Sequence, residues 1–297
     1  SHEHIPGIYA LVSAGGRIFY VVDEAPTASV RRLPEWQLVA RDAFNGILLW
    51  KKPIASWFPH LVNWGQTPPQ LERRLVSVGD RVYVTRGWHA PLTALAAATG
   101  ETVTDYADTQ GTEEILWHQG VLLLVVRSVT EQRLAKAEKW ARLLRRGEAA
   151  LEDRDAAEPL VKQLRATEAK GDLSIAALDA GSGRLLWKKS GADVAGLRPL
   201  SLCADAARVC YQTGTDVVCV DLQTGREHWS KASGRLYLIR DGAVVCADGK
   251  AVTILSAQTG DERWQRPHLL TNVRDVFVAG GALWVGGFKP YPEKRGP

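Results

Sequence analysis

Four cysteines are the first residues in this sequence that could support nucleophilic, redox or metal chemistry. They are Cys203, Cys210, Cys219 and Cys246. No two of them are adjacent, and none forms the C-x-x-C spacing that is typical of redox and zinc sites. Their spacing therefore assigns them no catalytic or metal-binding role and does not fix the redox compartment.

Histidine could bind a metal or transfer a proton at three places. His2 and His4 lie two residues apart at one end of the chain, where segments are commonly mobile. His89 and His118 each follow a tryptophan directly. We interpret these last two as loop residues whose imidazoles are satisfied by hydrogen bonds, and we predict no metal site.

Three aspartates, Asp42, Asp179 and Asp221, recur at corresponding positions of similar segments. No H-E-x-x-H, G-x-S-x-G or phosphate-binding loop accompanies them. The "GSG" at 181–183 has strand-like sequence on both sides, which indicates a hairpin turn. We therefore predict that these aspartates form hydrogen bonds in turns, and we assign no catalytic residue, no cofactor-binding residue and no cofactor.

The segment that contains these aspartates occurs five times. The copies are "ARDAFNGILLW" (40–50), "ALAAATGETVT" (94–104), "ALDAGSGRLLW" (177–187), "CVDLQTGREHW" (219–229) and "ILSAQTGDERW" (254–264). Each joins two short strand-like stretches through a turn with glycine, which is typical of a β-hairpin. A second hairpin precedes each copy, so one unit contains four strands.

Units of about 40 residues with four strands each predict an all-β fold of the β-propeller type. We predict five four-stranded blades and a half-blade, because "VFVAGGALWV" (276–285) has the sequence of a first hairpin without a second one. Residues 1–297 are then a partial ring, with open sheet edges and an exposed blade face.

The repeated glycines and large aromatic residues are predicted to be structural, since a turn with positive φ favours glycine and an aromatic ring can pack between neighbouring sheets. The residues with this predicted role are Gly46, Trp50, Gly100, Asp179, Gly183, Trp187, Asp221, Gly225, Trp229, Gly260 and Trp264. We expect all four of these tryptophans to be largely buried between blades.

One segment, 129–170, interrupts the repeat and contains few strand-forming residues. Its helical periodicity predicts two antiparallel α-helices, at about 131–146 and 156–170, inserted as a helical hairpin within one blade. Either the hairpin packs on itself in solvent or it docks a partner protein. Its nearly balanced charge argues against binding to nucleic acid.

The stretch "CYQTGTDVVC" predicts a tight hairpin centred on Gly214 and Thr215. Counting outward from this turn places Cys210 opposite Cys219. A disulfide is compatible with that register, but we favour free thiols.

The pattern A-x-D-A-x-T-G-x-x-x-W resembles the repeat of pyrroloquinoline-quinone-type (PQQ-type) propellers. Ser256 departs from the pattern in one copy, and Ala96 and Thr104 depart from it in another. The whole chain also resembles the propeller part of large bacterial proteins, some of which carry a methyltransferase-like domain. The resemblance implies an exported or periplasmic location, whereas the adjacent cysteine pair of the family's dehydrogenases does not occur here.

Composition narrows the classes of function further. The net charge of +4 is too small to argue for a nucleic-acid partner, and no apolar run is long enough to span a membrane. We therefore expect a non-catalytic propeller scaffold that binds a protein or peptide partner, or missing parts of the same polypeptide. Two alternatives remain open: an accessory module of a larger enzyme, and a quinoprotein-type oxidoreductase.

Overall fold

The computed structural model describes residues 8–24, 35–55, 57, 73–132, 134–135 and 172–288. Its strands form five four-stranded antiparallel sheets and one two-stranded sheet. In each four-stranded sheet, strands that follow one another along the chain are neighbours. This is the meander of a propeller blade, and the predicted all-β fold of five blades and a half-blade is confirmed.

The chain divides into two compact units. The first contains residues 1–117, 122–176 and 181–183, and the second contains residues 118–121, 177–180 and 184–297.

The strands of the first two blades are β1 (Ile8–Ala14), β2 (Arg17–Asp23), β3 (Trp36–Asp42), β4 (Leu48–Pro53), β5 (Leu75–Val78), β6 (Arg81–Thr85), β7 (Leu92–Ala96) and β8 (Thr102–Asp105). Those of the third and fourth blades are β9 (Thr112–His118), β10 (Val121–Ser128), β11 (Asp172–Asp179), β12 (Leu185–Ser190), β13 (Cys203–Asp205), β14 (Arg208–Thr213), β15 (Asp216–Asp221) and β16 (Glu227–Ala232). The fifth blade and the half-blade contain β17 (Arg235–Arg240), β18 (Ala243–Ala247), β19 (Ala251–Ser256), β20 (Glu262–Pro267), β21 (Asn272–Ala279) and β22 (Ala282–Phe288). A short 3₁₀ turn, Gly191–Val194, follows β12.

Burial differs between the middle and the last strand of a blade. Six consecutive residues of β10, from Val121 to Val126, are buried, because a middle strand is covered on both faces of the sheet. In β4, by contrast, Trp50 is the one buried residue. In the first blade, the last strand therefore packs on the core through the side chain of Trp50.

The two hairpins of each blade are joined by the same backbone hydrogen bond. In each repeat, the third position of the turn motif is Asp, Ala or Ser. The backbone N–H of the next residue donates to a carbonyl in the turn that joins the first two strands of the same blade. The five pairs are Ala43 with Gly16, Ala97 with Asp80, Ala180 with Gly120, Leu222 with Ala207 and Ala257 with Gly242. This bond fixes the position of the glycine turn in every blade.

The predicted cysteine register is confirmed. Cys210 pairs with Cys219 across β14 and β15, and the flanking pairs follow the predicted count from the turn. All four cysteines are free.

Several predictions concern residues outside the described parts of the chain. His2, His4 and most of the helical hairpin predicted for 129–170 lie there. Residues 131, 132, 134 and 135 have helical backbone, and the hairpin itself stays a prediction. Its two ends meet in one sheet, where β10 neighbours β11 and the Ser128 hydroxyl donates to the Asp172 carbonyl at 3.2 Å.

Candidate functional site

A β-bulge precedes the tryptophan in the last strand of the blades. In the fifth blade, Trp264 pairs with Ile254, and the next pair joins Glu262 to Leu255, so Arg263 has no opposite residue. The same one-residue shift occurs between β15 and β16, where Trp229 pairs with Cys219. The same shift precedes Trp50, which pairs with Ala40 while Leu48 pairs with Arg41. A bulge re-aims the side chain that follows it, so these three tryptophans share one local backbone geometry.

The turn of the following repeat covers the indole ring of Trp229. Its Nε1–H donates to the Ala257 carbonyl at 3.0 Å, and Gly260 lies against the ring. A Cβ atom on Gly260 would lie 2.7 Å from the ring, and its φ is +73°. Glycine is therefore required here by both the backbone conformation and the close approach.

Two further tryptophans are covered in the same way, each within one compact unit. Trp50 donates to the Ala97 carbonyl at 3.0 Å and packs on Gly100. Trp187 donates to the Leu222 carbonyl at 2.8 Å and packs on Gly225. All three acceptors lie three residues before the glycine, and all three tryptophans are buried, as the sequence predicts.

The second repeat has Thr104 at the tryptophan position, and Tyr106 takes over the contact. A Cβ atom on Gly183 would lie 3.3 Å from the Tyr106 ring, and Tyr106 is buried. The sequence motif missed Tyr106 because it lies two residues beyond the expected position. Alternation along a strand returns position i+2 to the same face, which is the signal that could have identified it.

The prediction that Trp264 is buried is wrong. Its side chain is 40% exposed, whereas Trp187 and Trp229 are each 7% exposed. The physical reason is that the next sheet has two strands, β21 and β22, and no glycine turn among the described residues follows them. Within the described parts of the chain, the indole therefore lacks the cover that the glycine turn provides for Trp50, Trp187 and Trp229.

The two-stranded half-blade has one covered face and one open face. Val273, Leu283 and Val285 pack against apolar residues of the fifth blade. On the opposite face, Phe277 and Trp284 are cross-strand partners whose rings stack 6.2 Å apart. They are 51% and 55% exposed, so the open face is an aromatic surface in contact with solvent.

The cysteines lie together in the apolar core between the fourth and fifth blades of the second unit. The pKa of Cys210 is raised well above its usual range by its hydrogen bond to Cys219 and by burial. Burial also raises the pKa of Cys246 to about 11. The hydrogen bond from Cys210 lowers the pKa of Cys219. Cys210 and Cys246 are protonated, buried thiols, which are poor nucleophiles, so these two side chains act as small apolar residues.

The repeated aspartates hold their turns by accepting backbone hydrogen bonds. Asp42 accepts from the N–H groups of the second and third residues after it, at 2.9 and 3.1 Å. Asp221 does the same at 3.1 and 2.8 Å, and it also accepts from the Thr224 hydroxyl. Burial raises the pKa of Asp221, but these hydrogen bonds outweigh it and the net pKa is lowered. The ionised carboxylate is a strong acceptor for the backbone N–H groups of the turn.

Two histidines, His89 and His118, directly follow a tryptophan. His118 Nε2 lies 3.0 Å from the Ala206 carbonyl. Burial lowers the pKa of His89 below its usual range. Within the described parts of the chain, no group of three or more His, Cys, Asp or Glu could hold a metal ion. Nor does that part contain a helix long and apolar enough to cross a membrane.

Comparison with known proteins agrees with the repeat motif. Residues 169–287 match the family model of the outer membrane protein assembly factor BamB. BamB from Moraxella catarrhalis has a similar structure, with 12% identity, a TM-score of 0.52, and coverage of 93% of this chain and 66% of that one. A europium-containing methanol dehydrogenase matches with 11% identity, a TM-score of 0.48, and coverage of 89% and 52%.

This chain thus spans less than two thirds of the length of these solved structures. No curated protein matches its sequence. The blades and the repeated turn motif support a PQQ-type β-propeller repeat fold, and the family match covers residues 169–287 of this chain.

Proposed function

We propose that this chain is a scaffold that binds a protein partner and carries out no chemistry of its own. The observation that carries the proposal is the open face of the half-blade, where Phe277 and Trp284 stack in contact with solvent. Aromatic residues are enriched in the parts of interfaces that contribute most binding energy. The match to a family named as an assembly factor supports the same class of function.

The neighbouring side chains extend this surface. Phe288 is 53% exposed, and the Arg274 guanidinium lies 4.4 Å from the centre of its ring. An arginine held over an aromatic ring presents charge at the edge of an apolar patch. A surface with an apolar centre and a charged rim is typical of a protein interface.

Site-specific photo-crosslinking in the source cells tests the proposal. A benzophenone amino acid replaces Phe277 in one variant and Phe44 in the matched control, since Phe44 is 89% exposed but belongs to the first unit. We expect a discrete protein adduct at position 277 that disappears when Trp284→Asp is added, because a carboxylate cannot be buried in an apolar contact without a large cost.

The proposal fails if position 277 gives no adduct, or gives the same adducts as position 44. A second measurement addresses the quinoprotein alternative. Saturable absorbance changes on titration with pyrroloquinoline quinone and Ca²⁺ would overturn the non-catalytic assignment.

A further inference from the structure

Three cysteines lie in one row across the fourth blade. Cys203 pairs with Cys210 between β13 and β14, and Cys210 pairs with Cys219 between β14 and β15. Residues directly opposite one another in antiparallel strands have their side chains on the same face of the sheet. The three thiols therefore share the face that packs against the fifth blade, where Cys246 belongs to the same apolar core.

The pair of Cys210 with Cys219 has the geometry of a cross-strand disulfide site. The turn between β14 and β15 has two residues and is closed by the pair of Thr213 with Asp216. In such a hairpin the closing pair is hydrogen-bonded, and hydrogen-bonded and non-hydrogen-bonded pairs alternate outward from it. Cys210 and Cys219 then form a non-hydrogen-bonded pair, in which the Cα atoms lie about 4.5 Å apart. A disulfide spans that separation.

Hydrogen bonds distinguish the two neighbours of Cys210. The thiols of Cys210 and Cys219 are hydrogen-bonded to each other. The Cys203 thiol donates instead to the Cys210 carbonyl oxygen, 3.6 Å from its sulfur. The structure therefore already brings the sulfurs of Cys210 and Cys219 into contact, whereas Cys203 engages the main chain.

The two contacting thiols differ in reactivity. The hydrogen bond from Cys210 lowers the pKa of Cys219, and the nearby Arg208 guanidinium lowers it further. A thiolate is the nucleophile of disulfide exchange, and a neighbouring cation favours it. Cys210 is held protonated by the same hydrogen bond and by burial. Cys219 is therefore suited to attack first, and Cys210 to close the disulfide.

Both sulfurs are buried, so a reagent reaches them through a local opening of the sheet. The strand beside Cys210 is β13, which has three residues, whereas β14, β15 and β16 have six each. Leu200, shortly before β13, has a φ of +62°, which is costly for an L-residue. A strand with few backbone hydrogen bonds opens at a small cost in free energy. Opening of β13 would uncover the edge of β14 that carries Cys210.

The contact between the fourth and fifth blades does not need the Cys219 proton. The Cys219 thiol donates to the Ala257 carbonyl oxygen at 3.6 Å, and the Trp229 indole N–H donates to the same oxygen at 3.0 Å. When the sulfur no longer carries a proton, the oxygen still accepts the hydrogen bond from the indole. The same fold can therefore hold the two cysteines reduced or oxidised.

We propose that Cys210 and Cys219 are a redox modification site, at which a small-molecule disulfide converts the two thiols into a cross-strand disulfide. The Cys219 thiolate attacks one sulfur of the small disulfide and displaces one thiolate. The Cys210 sulfur then attacks the Cys219 sulfur and displaces the second thiolate. The two displaced thiolates take up the protons that the cysteines lose, so the chain is oxidised by two electrons and the small disulfide is reduced by two. This site does not depend on the proposed binding of a protein partner.

Peptide mapping of the full chain tests the proposal. Trypsin cleaves after Arg208 and Arg226, so both cysteines lie in the single peptide 209–226. The folded chain is incubated with oxidised glutathione, and the remaining thiols are then blocked with N-ethylmaleimide in denaturant. We expect the peptide to lose two hydrogen atoms and to take up no N-ethylmaleimide, and we expect dithiothreitol to restore both thiols. Cys203 and Cys246 lie in other peptides, so a bond to either would join two peptides.

Two variants check the assignment. Cys203→Ala is the matched control, because it removes the third thiol of the row and keeps the pair, and its peptide 209–226 should be oxidised as in the wild type. Cys219→Ser should leave Cys210 available to N-ethylmaleimide, since a protonated, buried thiol is a poor nucleophile. Circular dichroism checks that both variants are folded.

Three results would overturn the proposal. The first is an unchanged peptide 209–226 from the folded chain under conditions that oxidise the chain unfolded in urea. The second is a disulfide from Cys210 to Cys203 or Cys246. The third is oxidation that stops at a mixed disulfide of Cys219 with glutathione, which would show that the Cys210 sulfur does not reach it.

Discussion

Gly46 and Gly100 have the same backbone conformation but different surroundings. Their φ values are +72° and +71°, and both belong to the first unit. A Cβ atom on Gly46 would meet nothing within 4 Å, whereas one on Gly100 would lie 2.7 Å from the Trp50 ring. Substituting alanine at both positions therefore separates two losses of stability: that from a left-handed backbone, and that from overlap of the added methyl group with the Trp50 ring.

We expect Gly46→Ala to lower the free energy of unfolding by about 1 kcal/mol, the cost of left-handed backbone for an L-residue. Gly100→Ala should cost about 1–3 kcal/mol more, because the indole must shift to admit the methyl group. Urea denaturation followed by circular dichroism measures both. Equal losses would show that the contact with Trp50 contributes nothing.

The tryptophans of the second unit offer a second matched pair. Trp187→Ala should lower stability by about 3–5 kcal/mol, since it removes a buried ring and leaves a cavity. Trp264→Ala should change it by about 0.5 kcal/mol or less, as is usual at an exposed position. Hydrogen exchange measures the two losses locally: the amides of β15 should exchange faster in Trp187→Ala, and those of β19 should be nearly unchanged in Trp264→Ala. A comparable loss for Trp264→Ala would contradict the exposure of its indole.

At the scale of the element, turns depend on ionised carboxylates. Asp248, between β18 and β19, accepts hydrogen bonds from the N–H groups of Lys250 and Ala251 at 2.7 and 2.8 Å. These bonds, from Ala251 first, hold the pKa of Asp248 below its usual value. A depressed pKa stabilises the fold above the unfolded pKa of about 3.9, and that stabilisation is lost as pH falls through the folded pKa.

We therefore expect the urea midpoint of the wild-type chain to fall between pH 5 and pH 3 by more than that of Asp248→Asn. The amide oxygen of asparagine still accepts both hydrogen bonds but does not titrate in this range. Denaturation curves at the two pH values make the comparison. An identical fall in both proteins would show that Asp248 does not contribute to the loss of stability at low pH.

The sequence motif predicted the elements of the blades because period-2 alternation and glycine turns are local signals. It also placed Cys210 opposite Cys219, since a two-residue turn fixes the register of the hairpin. It failed at Trp264 and at Tyr106 for the same physical reason. Whether an aromatic ring is buried depends on the turn of another repeat. That turn is distant in sequence, so the local pattern of the strand that carries the ring does not reveal it.

At the scale of the whole molecule, each repeat is stabilised by its neighbour as well as by its own sheet. Such arrays behave as a chain of coupled units in which an insertion within one loop leaves the coupling intact. The insertion at 129–170 begins and ends at adjacent strands, where Ser128 contacts Asp172. The described contacts that link one blade to the next, such as those of Trp50 and Trp187, involve no residue of 129–170.

We expect a chain in which residues 129–170 are replaced by a short Gly/Ser loop to keep its β-sheet signal and its cooperative unfolding. Loop length changes the entropy of closure slowly, by about 0.6 kcal/mol for each doubling. Circular dichroism and a thermal melt of the two proteins make the test. Loss of the β-sheet signal would mean that the insertion is part of the core.

The contact of tryptophan with glycine also bears on how such an array changes over evolutionary time. Each contact joins the last strand of one repeat to the turn of the next, so its two halves are encoded about one period apart. Duplication or loss of a whole period in the gene rejoins a tryptophan codon to a glycine codon at the correct distance. The three contacts span 50 residues from Trp50 to Gly100, 38 from Trp187 to Gly225 and 31 from Trp229 to Gly260. Selection on the contact can therefore keep each tryptophan with its glycine while loop lengths and the number of repeats vary.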